Sequence, residues 1–451
     1  MAQIVNNPFS EMLVSLSSRR FFGRATLLRE ILQGVSGPVP RSFALSGQRL
    51  LGKTSLLRFL GGRPGALARH GSALLDYGPG HEGELSFLYL NFYKQEGETV
   101  LPTLHRSLQQ HLEKLGMHMK WGGEAQQDLA QGLHALQREK KTRLVFCLDH
   151  FDQAYRTLPD PADLTLRSLS ELAAFILTTE DSLFELRPLA TRTSPIYGVL
   201  LQRSVDLLAP AEASELVSVP AAQAGDLFGP TEQELLLRSA GRHPYLLTLA
   251  GEFLFSLRLE RPEIRPLLAG AQIEPALSNR LRQQLASLPP VQDIFSYYWG
   301  RLDAGQQKTL FQVTQPGASP DGGDLPALVA LQRRSLVTDD PLSGSYRPFC
   351  ELFHLYVQQQ MAGTTAQTAS EYLSPLDRRV FERLKTSPAQ LFTREALLQE
   401  FWPSRPEKEA RRGLEAVLHR VRGELKKQDP DWEYIENVRG SGYRYNPRPG
   451  K

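Results

Sequence analysis

Gly47-Gln48-Arg49-Leu50-Leu51-Gly52-Lys53-Thr54 fits the pattern G-x-x-x-x-G-K-[ST] without a mismatch. An apolar run, Phe43-Ala44-Leu45, precedes it, and Ser55-Leu56-Leu57-Arg58-Phe59-Leu60 follows with helical spacing. Strand, glycine-bounded loop and helix in that order make a phosphate cradle. The glycines let successive N–H groups face one anion, and the helix N-terminus adds a positive dipole. In such a loop the lysine reaches the β- and γ-phosphates and the hydroxyl binds Mg²⁺. Gly47, Gly52, Lys53, Thr54 and Ser55 are therefore the candidate phosphate-binding residues, with Thr54 a candidate metal ligand.

Working outward, further strand candidates are Phe87–Phe92, Leu144–Leu148, Ala174–Leu177 and Val205–Leu208. Helical patterns separate them, among them Leu101 to Leu115 and Leu129 to Leu136. Continuous apolar strands alternating with helices predict a parallel sheet covered on both faces. A phosphate loop of this kind also needs a carboxylate at the end of a second strand. Leu144-Val145-Phe146-Cys147-Leu148-Asp149 supplies it, so Asp149 is the second candidate metal ligand, with Asp152 one turn later. Many ATPases place a water-orienting Glu directly after this Asp; here the residue is His150. Asp149 and Asp152 are the catalytic candidates, and without that Glu slow or absent hydrolysis is expected.

Composition narrows the class. The chain has 451 residues, 41% hydrophobic and 22% charged, enough apolar surface for several packed cores. Its 2 cysteines, Cys147 and Cys350, are far apart and make neither a disulfide framework nor a zinc cluster. No apolar run approaches the ~20 residues of a membrane helix, and the first residues lack a signal-peptide pattern. The expectation is a soluble cytoplasmic protein with no membrane partner. His105, His111 and His118 lack the i, i+4 spacing of a metal-binding helix and read as a solvated face. H-E-x-x-H, G-x-S-x-G and C-x-x-C do not occur, which argues against a protease or esterase module.

The pattern divides the chain into an N-terminal arm (1–20), an α/β core (21–210) and a helical lid (211–290). A compact unit ending in a hairpin around Pro341–Gly344 (291–360), a small polar linker (361–371) and a C-terminal unit (372–451) follow. The net charge of +3 is unevenly spread, because Tyr372 to Lys451 carries 17 Lys and Arg against 12 Asp and Glu.

Phe22-Gly23-Arg24, Gly47 to Leu57, Leu148 to Asp152, Leu177-Thr178-Thr179 and Gly241-Arg242-His243-Pro244-Tyr245 together resemble a STAND-type ATPase of the AAA+ group over about residues 6–360. That resemblance implies an α/β P-loop NTPase fold, a parallel sheet with helices on both faces, followed by a helical lid and a winged helix. It implies ATP or ADP with Mg²⁺ as cofactors, an adenine held by Phe22, Gly23 and Arg24, and Pro244 of the lid at the nucleotide. It also implies an ATP-dependent homo-oligomer. The chain departs from the family in two places. Thr178-Thr179-Glu180 stands where relatives often carry Thr-Thr-Arg, leaving Arg192 or Arg203 to sense the γ-phosphate, and Phe349-Cys350-Glu351 replaces the Met-His-Asp latch.

Residues 373–446 read as three helices and a hairpin. Ser374 and Thr393 cap helices, and Leu414, Val417, Leu418, Val421 and Leu425 form an apolar stripe. The other face of that third helix offers Arg411, Arg412, His419, Arg420, Arg422 and Lys426. Val438-Arg439-Gly440-Ser441-Gly442-Tyr443-Arg444 resembles the ending of winged-helix output domains of the OmpR/PhoB type, and Val417–Arg422 corresponds to their recognition helix. In such domains the helix lies in the major groove and the wing grips the adjacent backbone or minor groove. The resemblance makes Arg411, Arg412, His419, Arg420, Arg422, Arg439 and Arg444 the candidate contacts to double-stranded DNA.

The expected function is a nucleotide-gated DNA-binding regulator that takes its signal from a partner protein. The alternative is an adaptor or effector of a bacterial conflict system whose winged helices bind a protein such as a protease. A DNA-loading AAA+ machine would need robust turnover, which His150 and Glu180 argue against.

Overall fold

A computed structural model describes the chain except for residues 1–6, 15–20, 63–83, 188–193, 226, 265–267, 269–272, 316–323, 340–344, 372–373, 389, 404–405, 429–431, 439–440 and 448–451, and except for the side chains of 14, 362–371, 375 and 427–428. Five parallel strands form the central sheet: β1 (Ser42–Ser46), β2 (Glu84–Asn91), β3 (Thr142–Asp149), β4 (Ala174–Thr179) and β5 (Leu200–Ser204), in the order β2-β3-β4-β1-β5. β3 and β4 are buried along their whole length, which is why Leu144–Leu148 and Ala174–Leu177 are continuously apolar.

Alternate residues serve opposite faces. Phe43, Leu45, Val145, Cys147 and Ile176 pack beneath the helices Ala25–Ser36 and Lys53–Gly61. Ala44, Leu144, Phe146, Leu148, Phe175 and Leu177 join the helices Val100–Lys114, Ala125–Lys140 and Asp160–Leu169. Helices thus cover both faces, and the sheet has the P-loop NTPase architecture, with the phosphate loop at the carboxyl end of β1 where the strand order reverses.

The fifth strand differs from the expectation. It is Leu200–Ser204, and Val205–Leu208 lies beyond it. Val205 is fully buried because its N–H donates to Ser46 O at 2.7 Å, and Leu208 N–H donates to Arg242 O at 2.9 Å. This apolar run walls the phosphate loop instead of extending the sheet.

Among the described residues, the helices Pro210–Gln223, Pro230–Ala240, Pro244–Glu260 and Pro275–Ser287 belong to the helical segment that follows. Glu232 and Arg258 form a buried ion pair there at 2.9 Å. The N-terminal arm is not merely polar chain: Pro8–Val14 is a helix docked on Pro244–Glu260. Phe9 is fully buried, stacks on Phe228 at 5.8 Å and meets Phe255 edge-on at 6.4 Å. A Cβ on Gly251 would come within 2.7 Å of the Phe9 ring, so glycine makes room for it.

The chain forms two compact units, residues 1–285 with 332–336, and residues 286–331 with 337–451. Within the second, the helices Pro289–Gly300, Ala304–Gln312 and Leu325–Arg333 precede an antiparallel pair, β6 (Val337–Asp339) and β7 (Tyr346–Pro348). The expected turn at Pro341–Gly344 lies outside the described residues. Residues 361–371 correct the linker expectation: they continue the helix Glu351–Glu371. Ala, Gln and Met have good helix propensity, and no proline interrupts the run before Pro375.

The last segment comprises the helix Pro375–Lys385, β8 (Leu391–Thr393), the helices Arg394–Phe401 and Glu407–Gln428, β9 (Ile435–Val438) and β10 (Gly442–Tyr445). Its sheet runs β8-β10-β9, all antiparallel. β8, only three residues long, is an addition to the expected helix-helix-helix-hairpin pattern. Among the described residues no helix is long and apolar enough to cross a membrane.

Candidate functional site

The phosphate loop is built against its neighbours. Gly47 N–H donates to Thr179 O at 3.2 Å, and a Cβ on Gly47 would sit 2.4 Å from Val205 O, so no larger residue fits. Leu50 (φ 65) and Gly52 (φ 93) take left-handed conformations that turn the backbone into the helix Lys53–Gly61. A Cβ on Gly52 would meet nothing within 4 Å: the loop faces open space there. Lys53 is buried, and its ammonium donates to Gly47 O at 2.6 Å and Gln48 O at 2.9 Å. Ser55 and Thr54 are half-buried in the first turn of the helix.

Asp149, fully buried at the end of β3, is held from several sides. Oδ1 accepts from Thr178 Oγ1 at 2.5 Å and from His150 N–H at 3.2 Å, and Oδ2 accepts from Tyr89 Oη at 2.7 Å. Burial, then the bond to Asp149, push the Tyr89 hydroxyl up to about 12, so it stays a donor. The Arg58 guanidinium lies 5.0 Å from the Tyr89 ring centre. His150 has φ 55, and its Nε2 lies 3.5 Å from Thr54 Oγ1 and 3.7 Å from Asp149 Oδ2. Thr54 and Asp149, far apart in sequence, thus converge with His150 between them.

Asp152 accepts the Glu180 N–H at 2.7 Å, which ties it to the end of β4. Burial, with the Glu180 charge adding to it, raises its carboxyl above the ordinary range, while Lys53 acts to lower it. Of the two replacement sensors, only Arg203 is among the described residues. Arg203 is bonded to Glu30 through Nε at 2.8 Å and Nη2 at 2.5 Å, and Arg192 lies outside the described residues.

Gly23 and Arg24 lie beside the start of the helix Pro210–Gln223, where the Ala25 N–H donates to Glu212 Oε1 at 3.3 Å. Arg24, at φ 61, donates to Leu51 O at 3.1 Å, to Leu207 O at 3.3 Å and to Asp206 O. Burial lowers its pKa, partly offset by Glu212 and Asp206. Gly23 has φ 78, and a Cβ there would stand 3.0 Å from Leu208 Cδ2. Phe22 is half-buried, whereas its neighbour Phe21 is buried and stacks on Phe59 at 4.6 Å. Pro244 opens its helix at the first position, capped by buried His243, whose Nδ1 accepts from Leu246 N–H at 3.3 Å. Burial, with the Arg24 charge adding to it, lowers His243 to about 3.

Two of the three histidines correct the solvated-face reading, while His118 is exposed. His105 Nε2 lies 3.2 Å from Asp128 Oδ2 and is only 23% exposed, because the helix Ala125–Lys140 packs beside it. His111 Nε2 lies 3.2 Å from Ser86 Oγ.

In the C-terminal segment the seven candidate DNA contacts separate. Arg420 is bonded in two-pronged fashion to Asp377, at 2.7 and 2.9 Å, and that bond holds the Asp377 carboxyl below its ordinary value. Arg422 donates to Ile435 O at 3.0 and 2.9 Å, and its guanidinium lies 5.8 Å from the Tyr443 ring centre. Arg444 bonds Glu436 across the hairpin at 3.0 and 2.5 Å. Arg411 pairs with Glu407 one turn earlier at 2.7 Å. These four are engaged within the segment. Arg439 lies outside the described residues. Arg412 and His419 are exposed and unpaired among the described residues, as is Lys426. The three recur every seven residues, so they line one side of the helix Glu407–Gln428, with Ala416 and Gly423 between them. Tyr443 and Tyr445 are buried in the wing.

Residues 369–445 match the family described as "Transcriptional regulatory protein, C terminal". The matched stretch spans the helices Pro375–Lys385, Arg394–Phe401 and Glu407–Gln428 and the β9–β10 hairpin. A search among curated proteins returns no match to the sequence. Among solved structures, the chain is similar to the Walker-type ATPase paby2304 of Pyrococcus abyssi, at 13% identity and a TM-score of 0.49, over 76% of this chain and 98% of that one. It is also similar to the ORC2 protein of Aeropyrum pernix, solved in ADPNP-ADP complexes (15% identity, TM-score 0.43, 75% of this chain and 93% of that one). A third is the RuvB Holliday junction branch migration motor of Thermotoga maritima (14% identity, TM-score 0.36, 74% and 94%). The P-loop class of the N-terminal sheet rests on the chain's own strand order and loop geometry.

Sequence reasoning missed Tyr89 as a partner of Asp149. Its one signal is a hydroxyl inside an apolar strand, where burial demands a hydrogen-bond partner. It also missed that Arg24 ties the loop to the segment after β5.

Proposed function

We propose that the chain is an ATP/ADP-gated switch of the STAND type that binds DNA through its C-terminal winged helix and regulates transcription or signalling. The division proposed is a core at 21–210, a lid at 211–290, a first winged helix at 291–360 and a DNA reader at 372–451. The observation that carries the reading is the joining, on one chain, of an open glycine-lined phosphate loop to the regulatory-protein domain.

The residues fit the cofactors. The open face at Gly52 leaves room for phosphate oxygens, and Lys53 already lies across the loop carbonyls as a ready counter-charge. Thr54 and Asp149 converge as a Mg²⁺ pair needs. Bound with Mg²⁺, the nucleotide supplies the γ-phosphate whose presence or loss distinguishes two states. Phe22, Gly23, Arg24 and Pro244 take the adenine side. Arg24 bonds the phosphate loop and the chain leading into the lid, so it is the link through which nucleotide occupancy shifts the population of lid arrangements. With His150 after Asp149 and Arg203 committed to Glu30, turnover is slow or absent. A partner protein delivers the signal, and the ATP state assembles into a homo-oligomer.

Arg412, His419 and Lys426 are the contacts proposed for the DNA backbone and groove. Lys53→Ala tests the nucleotide arm by calorimetric titration with ADP: affinity falls about 100-fold or more, and unchanged affinity sinks the switch. A mobility-shift titration over salt tests the DNA arm, with log K falling about 0.9 per phosphate neutralised against log salt. The internal pairing of Arg411, Arg420, Arg422 and Arg444 favours a second reading, in which the winged helix binds a partner protein. Flat or absent DNA binding selects it.

A further inference from the structure

We infer that His150 is itself a metal ligand: the divalent ion accompanying the nucleotide binds one imidazole nitrogen, and the site therefore favours Mn²⁺ over Mg²⁺ relative to an all-oxygen shell. This inference rests on the nucleotide reading above and names the metal chemistry of the same site.

The backbone puts the ring there. His150 sits at φ 55, a left-handed conformation that is strained for a non-glycine residue. The turn is fixed because the His150 N–H donates to Thr178 Oγ1 at 3.0 Å and to Asp149 Oδ1 at 3.2 Å. The ring is steadied by Tyr93, edge-on at 5.6 Å. So aimed, Nε2 comes 3.5 Å from Thr54 Oγ1 and 3.7 Å from Asp149 Oδ2, the two oxygens proposed for the metal. Neighbouring ligands of an octahedral ion with bonds near 2.1 Å stand about 3.0 Å apart, so a small inward movement makes Nε2 a third ligand.

Asp149 is prepared for this arrangement. A carboxylate offers about four lone-pair positions. Thr178 and the His150 N–H take those of Oδ1, and Tyr89 takes one on Oδ2. The remaining position on Oδ2 belongs to the atom nearest the imidazole. Among the described residues no group of three or more His, Cys, Asp or Glu could hold a metal alone, so the ion depends on phosphate oxygens to complete its shell. Mg²⁺ prefers oxygen and keeps its waters, whereas imidazole suits first-row transition ions. The residue at the position where related ATPases carry a glutamate thus exchanges water orientation for metal selection.

The test uses the full chain, uniformly ¹⁵N-labelled and loaded with unlabelled ADP and Mn²⁺, read by pulsed electron-nuclear resonance. A ¹⁵N coupling to Mn²⁺ is expected, because a protein nitrogen then carries the label while adenine nitrogens remain ¹⁴N. His150→Gln removes the coupling while ADP still binds, and it lowers the Mn²⁺-over-Mg²⁺ preference in ADP affinity by about tenfold, or roughly 1.4 kcal/mol. Bound ADP and Mn²⁺ without a ¹⁵N coupling, or with only a ¹⁴N one, overturns the inference and leaves the nucleotide site standing. Failure of wild-type chain to bind ADP with either metal overturns both. The label result needs no substitution, so a His150→Gln chain that does not fold leaves the test decisive.

Discussion

The phosphate loop and the long helix of the C-terminal segment were both expected to be functional on the strength of their residue types, yet they spend those residues differently. At the loop, Lys53 bonds the carbonyls of Gly47 and Gln48, and Thr54, Asp149 and His150 converge around one point. On the helix Glu407–Gln428, Arg420 and Arg422 are bonded to Asp377 and to Ile435, and Arg411 is paired with Glu407. A motif whose spacing is fixed by phosphate geometry leaves little freedom for other uses. A cluster of arginines carries no such constraint, because an arginine beside a buried carboxylate or a hairpin carbonyl completes the fold just as readily. Position on the helix separates the basic residues: Arg412, His419 and Lys426 share a side that the core does not claim.

Acid should act on the two regions at different points. His243 is lowered from 6.5 to about 3 when folded, so the unfolded chain binds its proton first. That contribution is complete above pH 6.5 and declines as pH falls, by about 1.4 kcal/mol per unit at most, toward about pH 3. Asp152, raised by burial, offsets part of this loss. Asp377, lowered from 3.8 by Arg420, contributes stability that is complete above 3.8 and lost only as pH falls further. Chemical denaturation between pH 7 and 4 should therefore weaken the N-terminal unit first, and His243→Asn should flatten its profile. Simultaneous weakening of the two units would break the contrast.

Lys53→Ala should weaken ADP binding by about 100-fold, roughly 2.7 kcal/mol, with little change in melting temperature. A large fall in melting temperature would mean that the lysine's bonds to Gly47 and Gln48 serve the fold, as Arg420 does on the helix. Arg420→Ala should do the reverse, costing about 2 kcal/mol in denaturant unfolding of the C-terminal domain, because it strands the buried Asp377. DNA affinity measured well below the melting temperature should change little. Arg412→Ala should leave stability within about 0.5 kcal/mol and reduce the salt slope of DNA binding by about 1. Equal losses of DNA affinity from Arg412→Ala and Arg420→Ala would erase the distinction drawn between the two sides of the helix.

From the sequence alone came the phosphate loop, the alternation of apolar strands with helices, Asp149 at the end of its strand and the winged-helix ending. Each is written locally: a glycine spacing, a run of apolar residues, a turn between alternating strands. Tertiary structure decided that Val205–Leu208 walls the loop instead of forming a strand, and that residues 361–371 continue a helix. It also placed Tyr89 on Asp149, Arg24 across the loop and His150 between Thr54 and Asp149. Those outcomes depend on partners tens of residues away. Periodicity records which residues are buried, but only packing decides which neighbour receives a side chain's hydrogen bond or charge.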